Sequence, residues 1–148
     1  MTIKDEAPYI ADEKLVAHAR EARQMAHAPY SMFPVGAALF SSDGKIFTGC
    51  NLENSSYSLT MCAERVAIFK AASEGVRKIL KIAVVADTPI PVPPCGSCRQ
   101  MIWEFGTGST EVVMANIAGQ LKRTTIEDLL PNPFDPGLLP DIGGKMTS

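Results

Sequence analysis

Two short cysteine motifs, each directly ahead of a helical pattern, restrict the folds that this chain can adopt. Cys62-Ala-Glu64 opens the first pattern, and Pro94-Cys-Gly-Ser-Cys98 opens the second about thirty residues later. The apolar segment 80–86 between them is typical of a buried strand. With a strand between them, both helices are expected to begin at the same edge of a sheet. In an open α/β sheet, ligands bind at this edge, beyond the carboxyl ends of the strands.

The remaining hydrophobic patterns and turn signals predict the order α-β-β-α-β-α-β-β-α. The first helix is expected to begin with Asp12 as N-cap and to end before Pro29. Two strand–helix–strand units imply a right-handed parallel core, and a leading hairpin adds an antiparallel strand. The last two strands are joined by too short a turn for a parallel crossover, so they are expected to pair antiparallel. The later helices are predicted at 62–73, 95–105 and 126–130, and the strands at 35–40, 45–49, 80–86, 111–116 and 121–125.

Length and composition indicate one domain. The chain has 148 residues, of which 46% are hydrophobic, and this suffices for one core but not for two ordinary domains. We expect a single domain over 1–148, with a core of about 12–135 and a tail at each end. The apolar segments are far shorter than the ~20 residues of a membrane span, and no apolar signal segment is apparent, so a cytoplasmic protein without a membrane partner is predicted. The net charge of −2 lacks the basic excess of a nucleic-acid-binding surface.

The four cysteines indicate a metal site more than disulfide bonds, because no secretory signal is apparent. The positive ends of helix dipoles lower the pKa of thiols at helix starts and favour metal binding there. Three thiolates, from Cys62, Cys95 and Cys98, match a catalytic zinc ion, which keeps a fourth position for water. Cys50 is expected to be a small buried residue, with the alternative that it completes a closed structural zinc site. A thiol redox protein is the weakest alternative, because it leaves Cys62 and Glu64 without a role.

Charged residues beside the cysteines are candidates for proton transfer and for offsetting the charge of the thiolates. Glu64 follows Cys62 by two residues, so its carboxylate is expected near the metal, where it can exchange protons with water and substrate. Its alternative role is that of an ordinary acid at a helix start. Arg65 and Arg99 are candidates to donate hydrogen bonds to sulfur, with ordinary surface charge as the alternative.

Five segments occur in an order that is specific to one family. They are Phe33-Pro-Val-Gly-Ala-Ala38, Gly49-Cys-Asn-Leu-Glu-Asn-Ser-Ser-Tyr57, Cys62-Ala-Glu-Arg65, Pro94-Cys-Gly-Ser-Cys-Arg-Gln100 and Leu129-Leu-Pro-Asn-Pro-Phe134. Cys-x-Glu followed by Pro-Cys-x-x-Cys is the signature of zinc deaminases that act on cytosine or adenine. With all five segments, the chain resembles the small cytidine deaminases of pyrimidine salvage over roughly residues 12–135.

The resemblance implies an α/β fold with three αβα layers and a five-stranded mixed sheet whose last two strands are antiparallel. It implies one zinc ion per chain, bound by Cys62, Cys95 and Cys98, with Glu64 as the proton shuttle. It also implies a homotetramer with active sites shared between subunits, which acts on a small nucleoside and not on nucleic acid.

The resemblance further assigns substrate contacts outside the metal motif. Asn51 and Glu53 would hydrogen-bond the ribose 3′-hydroxyl, and as alternate residues after a strand they can point the same way. Phe33 would pack against the pyrimidine ring, and the backbone of Ala63 would help to fix the base. The residues that would reach the site of a neighbouring subunit are Ser55, Tyr57 and Phe134.

The implied reaction is the hydrolytic deamination of cytidine and 2′-deoxycytidine to the uridine forms plus ammonia. Zinc lowers the pKa of its water, Glu64 takes the proton, and the zinc-bound hydroxide attacks C4 of the ring. Glu64 then protonates N3 and later the leaving amine. The alternatives are deamination of another aminopyrimidine nucleoside such as blasticidin S, and a non-catalytic zinc-stabilised module. A nucleic-acid deaminase is disfavoured, because those enzymes more often use His-x-Glu and a basic surface.

Overall fold

A computed structural model describes residues 6–140, which form a five-stranded sheet and the helices packed on it. The order of elements predicted from the sequence is confirmed, although the first helix ends at Arg23, well before Pro29. No helix in residues 6–140 has both the length and the apolar character needed to cross a membrane. The helices are α1 (Asp12–Arg23), α2 (Ala63–Ser73), α3 (Gly96–Phe105) and α4 (Ile126–Leu129), and the strands are β1 (Val35–Ser41), β2 (Ile46–Cys50), β3 (Ile79–Ala86), β4 (Glu111–Asn116) and β5 (Leu121–Thr125).

The strand order is β2-β1-β3-β4-β5. β1 pairs antiparallel with both β2 and β3, β3 pairs parallel with β4, and β4 pairs antiparallel with β5 as predicted. The predicted parallel core is therefore correct for β3 and β4 only. β2 and β3 do run in the same direction, but β1 lies between them. Because β1 is buried along nearly its whole length, an interior position supplies hydrogen-bonding partners for both of its edges.

Alternate residues of the central strands face two separate cores, and this produces the three predicted layers. On one face α1 covers Ala38, Ala83 and Val113. On the other face α2 and α3 cover a second cluster that includes Ile82 and Val84. The described residues thus form an αβα sandwich, and the fold class expected from the sequence is confirmed.

Two glycines allow the helices to approach the sheet closely, one on each face. A Cβ atom on Gly36 in β1 would collide with the backbone carbonyl of Ala19 in α1, and one on Gly49 in β2 would collide with the carbonyl of Ala63 in α2. Glycine is therefore required at both positions for packing rather than for backbone conformation. The contact at Gly49 bears on the site, because Ala63 is the first residue of α2 and follows Cys62.

The first turn of α1 is held by a buried ion cluster, and the prediction that Asp12 is its N-cap is wrong. Asp12 is the first helical residue, and its carboxylate lies 2.7 Å from both Lys81 and Arg123. Lys81 also donates to the carbonyl of Ile10 at 2.9 Å and lies 3.0 Å from Glu111. Burial tends to raise the pKa of Asp12, but the hydrogen bonds from Lys81 and Arg123 outweigh it and hold that pKa below its ordinary value. The cluster therefore joins the start of α1 to β3, β4 and β5.

The predicted N-terminal tail is partly packed against the domain. Ile10 is buried in the core beneath α1, although residues 6–11 form no helix or strand. At the C-terminal end of the predicted core, the indole N–H of Trp103 in α3 donates to Asp135 at 2.9 Å. Residues 1–5 and 141–148 lie outside the described residues, so the extent of the two tails stays a prediction.

Replacing Asp12 tests the ion cluster. Asp12→Asn should lower the free energy of unfolding by about 3 kcal/mol at pH 7, because Lys81 then stays buried with less compensating charge. The folded-state pKa of Asp12 is depressed, so its stabilisation is present above the ordinary aspartate pKa and is lost as the pH falls through the folded value. Denaturant unfolding at pH 7 and below about pH 3 should therefore show that Asp12→Asn has a lower free energy of unfolding than wild type, and that this difference shrinks in acid. Asp87→Asn, at an exposed position, is the matched control, and an Asp12→Asn deficit independent of pH would contradict the interpretation.

Candidate metal centre and active site

Three sulfur atoms meet where α2 and α3 begin. Cys62 immediately precedes α2, Cys95 immediately precedes α3, and Cys98 lies in the first turn of α3. Their Sγ atoms all lie within 4.8 Å of one another, and those of Cys62 and Cys95 are 3.9 Å apart. A tetrahedral zinc ion with Zn–S distances of about 2.3 Å separates its sulfur ligands by about 3.8 Å. The cluster therefore fits one tetrahedral ion with three protein ligands.

The three thiols hold their protons unequally. Hydrogen bonds from Cys98 and Arg65 outweigh burial and lower the pKa of Cys62 to about 5. The pKa of Cys98 is raised, because its thiol bonds to Cys62 and is buried. The positive ends of the α2 and α3 dipoles also favour negative charge at this place. A thiolate is thus available at neutral pH as a first ligand for a metal ion.

The two candidate arginines differ in what they contact. Arg65 Nη2 donates to Cys62 Sγ at 3.3 Å, as predicted, and its buried Nε has no partner among the described residues. Arg99 does not reach sulfur but donates to the carbonyls of Pro94 at 2.8 Å and Leu129 at 2.9 Å. Arg99 follows Cys98 by one residue and so points about 100° away around α3. The expectation for Arg99 is corrected: it joins α3 to α4.

Glu64 lies beside the sulfur cluster in a buried position. Its side chain accepts a hydrogen bond from Cys98 Sγ at 3.6 Å, and the residue is 5% exposed. Burial, reinforced by the negative charge on Cys62, raises the pKa of Glu64 to about 7. The carboxyl group can therefore gain or lose a proton near neutral pH next to the metal ligands.

A cavity of about 290 Å³ joins the cluster to the predicted nucleoside contacts. A larger cleft of about 400 Å³ lies on the opposite face, between α1 and the β4–β5 turn, and contains none of the predicted site residues. The first cavity is lined by Ser31, Phe33, Val35, Asn51, Glu53, Thr60, Cys62, Ala63, Glu64, Val84, Val92, Pro93 and Cys95. This one cavity is thus lined by two of the cysteines, by the buried carboxyl group and by four of the seven predicted substrate contacts.

Asn51 and Glu53 line this cavity with side chains that are already bound to the loop 30–35. Asn51 is 8% exposed, accepts a hydrogen bond from the N–H of Val35 at 2.8 Å and donates to the carbonyl of Phe33 at 2.9 Å. Glu53 accepts from two consecutive backbone N–H groups of the same loop, at 2.9 and 3.1 Å. Neither the sequence pattern nor the resemblance indicated these loop contacts.

Three predicted substrate contacts lie outside the cavity. Ser55 is in an exposed loop, and Tyr57 is 72% exposed, with its ring packed edge-on against Tyr30 at 5.5 Å. Phe134 is 61% exposed, and both its N–H and its carbonyl are hydrogen-bonded by the side chain of Gln100. The role of these three residues at the site of a neighbouring subunit stays a prediction.

Cys50, which the closed-site alternative requires, is not part of the sulfur cluster found among the described residues. It ends β2, and burial raises the pKa of its thiol. The sequence reasoning missed Val84 and Val92 as cavity-lining residues. The period-2 geometry of a strand could have indicated Val84, since it places Val84 on the same face as Ile82, towards α2 and α3. Nothing in the Pro-rich segment 89–94 distinguishes Val92.

Comparisons with known proteins agree with this geometry. Residues 10–115 match the protein family described as "Cytidine and deoxycytidylate deaminase zinc-binding region". The chain is 57% identical over 122 residues to a cytidine deaminase of Sporosarcina psychrophila, covering 82% of this chain and 90% of that protein. It is 51% identical over 122 residues to a cytidine deaminase of Halalkalibacterium halodurans, covering 82% and 92% respectively. The crystal structure of cytidine deaminase from Burkholderia pseudomallei superposes with a TM-score of 0.82 at 48% identity, covering 84% of this chain and all of that one.

Cysteine substitutions test the three-ligand site. Cys95→Ala should reduce the zinc content from about one ion per chain to a small fraction of that value, because two sulfurs remain. Cys50→Ala, the matched control, should keep the full content. Elemental analysis of dialysed protein measures both values. Loss of zinc from Cys50→Ala would instead favour the closed four-sulfur site.

Proposed function

The chain belongs to the cytidine and deoxycytidylate deaminase zinc-binding family, and from this membership and the site geometry we propose that it is a zinc-dependent hydrolase acting on cytidine and 2′-deoxycytidine. The products are uridine or 2′-deoxyuridine and ammonia. One observation carries the proposal: the carboxyl group of Glu64 lies against three converging thiols, in a cavity that also contains Phe33, Asn51 and Glu53.

Glu64 moves the protons that the reaction requires. A zinc ion at Cys62, Cys95 and Cys98 supplies Lewis acidity, which makes water acidic enough to lose a proton near neutral pH. Glu64 takes that proton and delivers it to N3 of the base, and then passes the proton of the hydroxyl group added at C4 to the leaving amine. Oxygen is added at C4 and ammonia leaves from C4, so cytidine and water are converted to uridine and ammonia. The burial of Glu64 beside the sulfur cluster excludes bulk water from these proton transfers.

Arg65 offsets the negative charge of the ligand set. Three thiolates and one zinc ion carry a net charge of −1, which weakens the polarisation of water. The hydrogen bond from Arg65 to Cys62 Sγ withdraws electron density from that sulfur. The helix dipoles at the starts of α2 and α3 act in the same direction.

The lining of the cavity favours an uncharged nucleoside over a nucleotide. Phe33 supplies an aromatic face for the pyrimidine, the backbone of Ala63 lies beside it, and Asn51 and Glu53 supply polar groups for the ribose. The residues that line the cavity include two carboxylates and no basic side chain. A 5′-phosphate would therefore find like charge and no arginine or lysine to pair with it.

We further propose a homotetramer in which neighbouring subunits complete one another's sites, with Ser55, Tyr57 and Phe134 as the residues that cross over. Phe134 supports this proposal best. Its ring is exposed while Gln100 holds its backbone on both sides. A rigidly presented aromatic side chain is typical of a subunit contact.

The loss of Glu64 tests the proposed chemistry. The zinc-replete chain should decrease the ultraviolet absorbance of cytidine as uridine forms, and Glu64→Ala should do so at least about 10³-fold more slowly with its zinc content unchanged. Parallel assays with cytidine and blasticidin S identify the preferred nucleoside. An active, zinc-loaded Glu64→Ala protein would refute the role of Glu64. A wild-type chain that prefers blasticidin S would refute the proposed substrate.

Subunit mixing tests the shared site. Phe134→Ala should raise the KM for cytidine by on the order of tenfold, the loss expected for one aromatic contact. Hybrids of Phe134→Ala with Glu64→Ala subunits should recover a low KM, because the Glu64→Ala subunits supply Phe134 to intact catalytic groups. Light scattering establishes the number of subunits. Hybrids without recovery, or a monomer with full activity, would contradict the proposal.

A further inference from the structure

The loop 30–35, which carries Phe33, is held from outside by one carboxylate. Glu53 Oε1 accepts hydrogen bonds from the N–H groups of Tyr30 at 2.9 Å and Ser31 at 3.1 Å. Bonding to the side chain and backbone of Ser31 holds the pKa of Glu53 below its ordinary value, so the acceptor is a charged carboxylate at neutral pH. Charge-assisted bonds of this kind are about twice as strong as neutral ones.

The other end of the loop is held by an amide. Asn51 Oδ1 accepts from the N–H of Val35, and Asn51 Nδ2 donates to the carbonyl of Phe33. The backbone N–H of Asn51 donates to the carbonyl of Val35 at 3.2 Å. Asn51 and Glu53 thus bind four backbone groups of one six-residue loop through their side chains.

The conformation of the loop explains why it needs external support. Met32 has φ 55°, in the left-handed region that a non-glycine residue adopts at a free-energy cost. Its side chain is 78% exposed, so side-chain packing does not compensate for this backbone. The hydrogen bonds to Asn51 and Glu53 on either side of Met32 compensate for it, together with the bond from Arg23 Nε to the carbonyl of Pro34 at 3.0 Å.

Each supporting side chain keeps one hydrogen-bonding group free. Asn51 Nδ2 uses one of its two N–H groups for the loop, and both backbone bonds to Glu53 go to its Oε1 atom. Both side chains line the cavity beside Phe33. One donor and one acceptor therefore remain, which is what a ribose hydroxyl requires.

We infer that Asn51 and Glu53 are positioning residues for Phe33 as well as ribose contacts, each holding the loop 30–35 with one group and the sugar with the other. Recognition of the sugar and stacking of the base are thereby coupled through two side chains. The ribose contact rests on the proposed function, whereas the support of the loop does not.

Amide hydrogen exchange tests the support of the loop without any substrate. In the zinc-loaded chain, Glu53→Ala should raise exchange at the N–H groups of Tyr30 and Ser31 by about tenfold, since two charge-assisted bonds are lost. Glu53→Gln keeps an acceptor oxygen and should raise it less. Glu74→Gln, at an exposed position on the far end of α2, is the matched control and should change nothing. Unchanged exchange in Glu53→Ala would overturn the inference.

Removing the hydroxyl from the substrate separates the two roles. If Glu53 acts through Phe33 as well as the sugar, Glu53→Ala should lose about tenfold in kcat/KM on 3′-deoxycytidine too, mainly through KM. If it acts only on the 3′-hydroxyl, Glu53→Ala and wild type should have equal rates on 3′-deoxycytidine, and the inference fails. A wild-type chain that deaminates neither cytidine nor 3′-deoxycytidine would count against the proposed function. In that case the amide hydrogen exchange experiment alone tests whether Glu53 supports the loop.

Discussion

The convergence of two helix starts at one edge of the sheet is the constraint on which the site depends. Cys62 and Cys95 each immediately precede a helix, and their sulfurs meet only because α2 and α3 pack on the same face of the sheet. Gly49 lets the start of α2 approach β2, and the cluster of Ile82 and Val84 supports both helices from below. Metal affinity and core packing are therefore linked, since a shift of either helix start separates the sulfurs.

Burying a carboxyl group is costly unless its charge is compensated, and the position of Glu64 compensates that charge only in part. Glu64 lies in the first turn of α2, where the helix dipole favours negative charge. The same burial raises its pKa to about 7. The burial of Glu64 thus both excludes water from the site and lets its carboxyl group exchange protons near neutral pH.

Local patterns predicted the hairpin, the cysteine helix starts and the final strand pair, because each depends on residues close in sequence. The insertion of β1 between β2 and β3 could not be predicted this way, since strand order is decided by burial of the whole sheet. Asp12 was mistaken for a cap because its partner Lys81 is 69 residues away. The loop contacts of Asn51 and Glu53 were missed because their partners are backbone groups, which carry no residue-specific signal.

The two halves of the site are built differently. Cys62, Glu64 and Cys98 lie at the starts of helices that the core holds in place. Proton transfer over short distances requires such fixed positions. The nucleoside half, with Phe33 on a loop containing a left-handed Met32, depends on a few side-chain-to-backbone hydrogen bonds. Loops tolerate change more readily than packed helices. Substrate preference can therefore vary through residues 30–35 and the side chains that support them, while the metal centre stays unchanged.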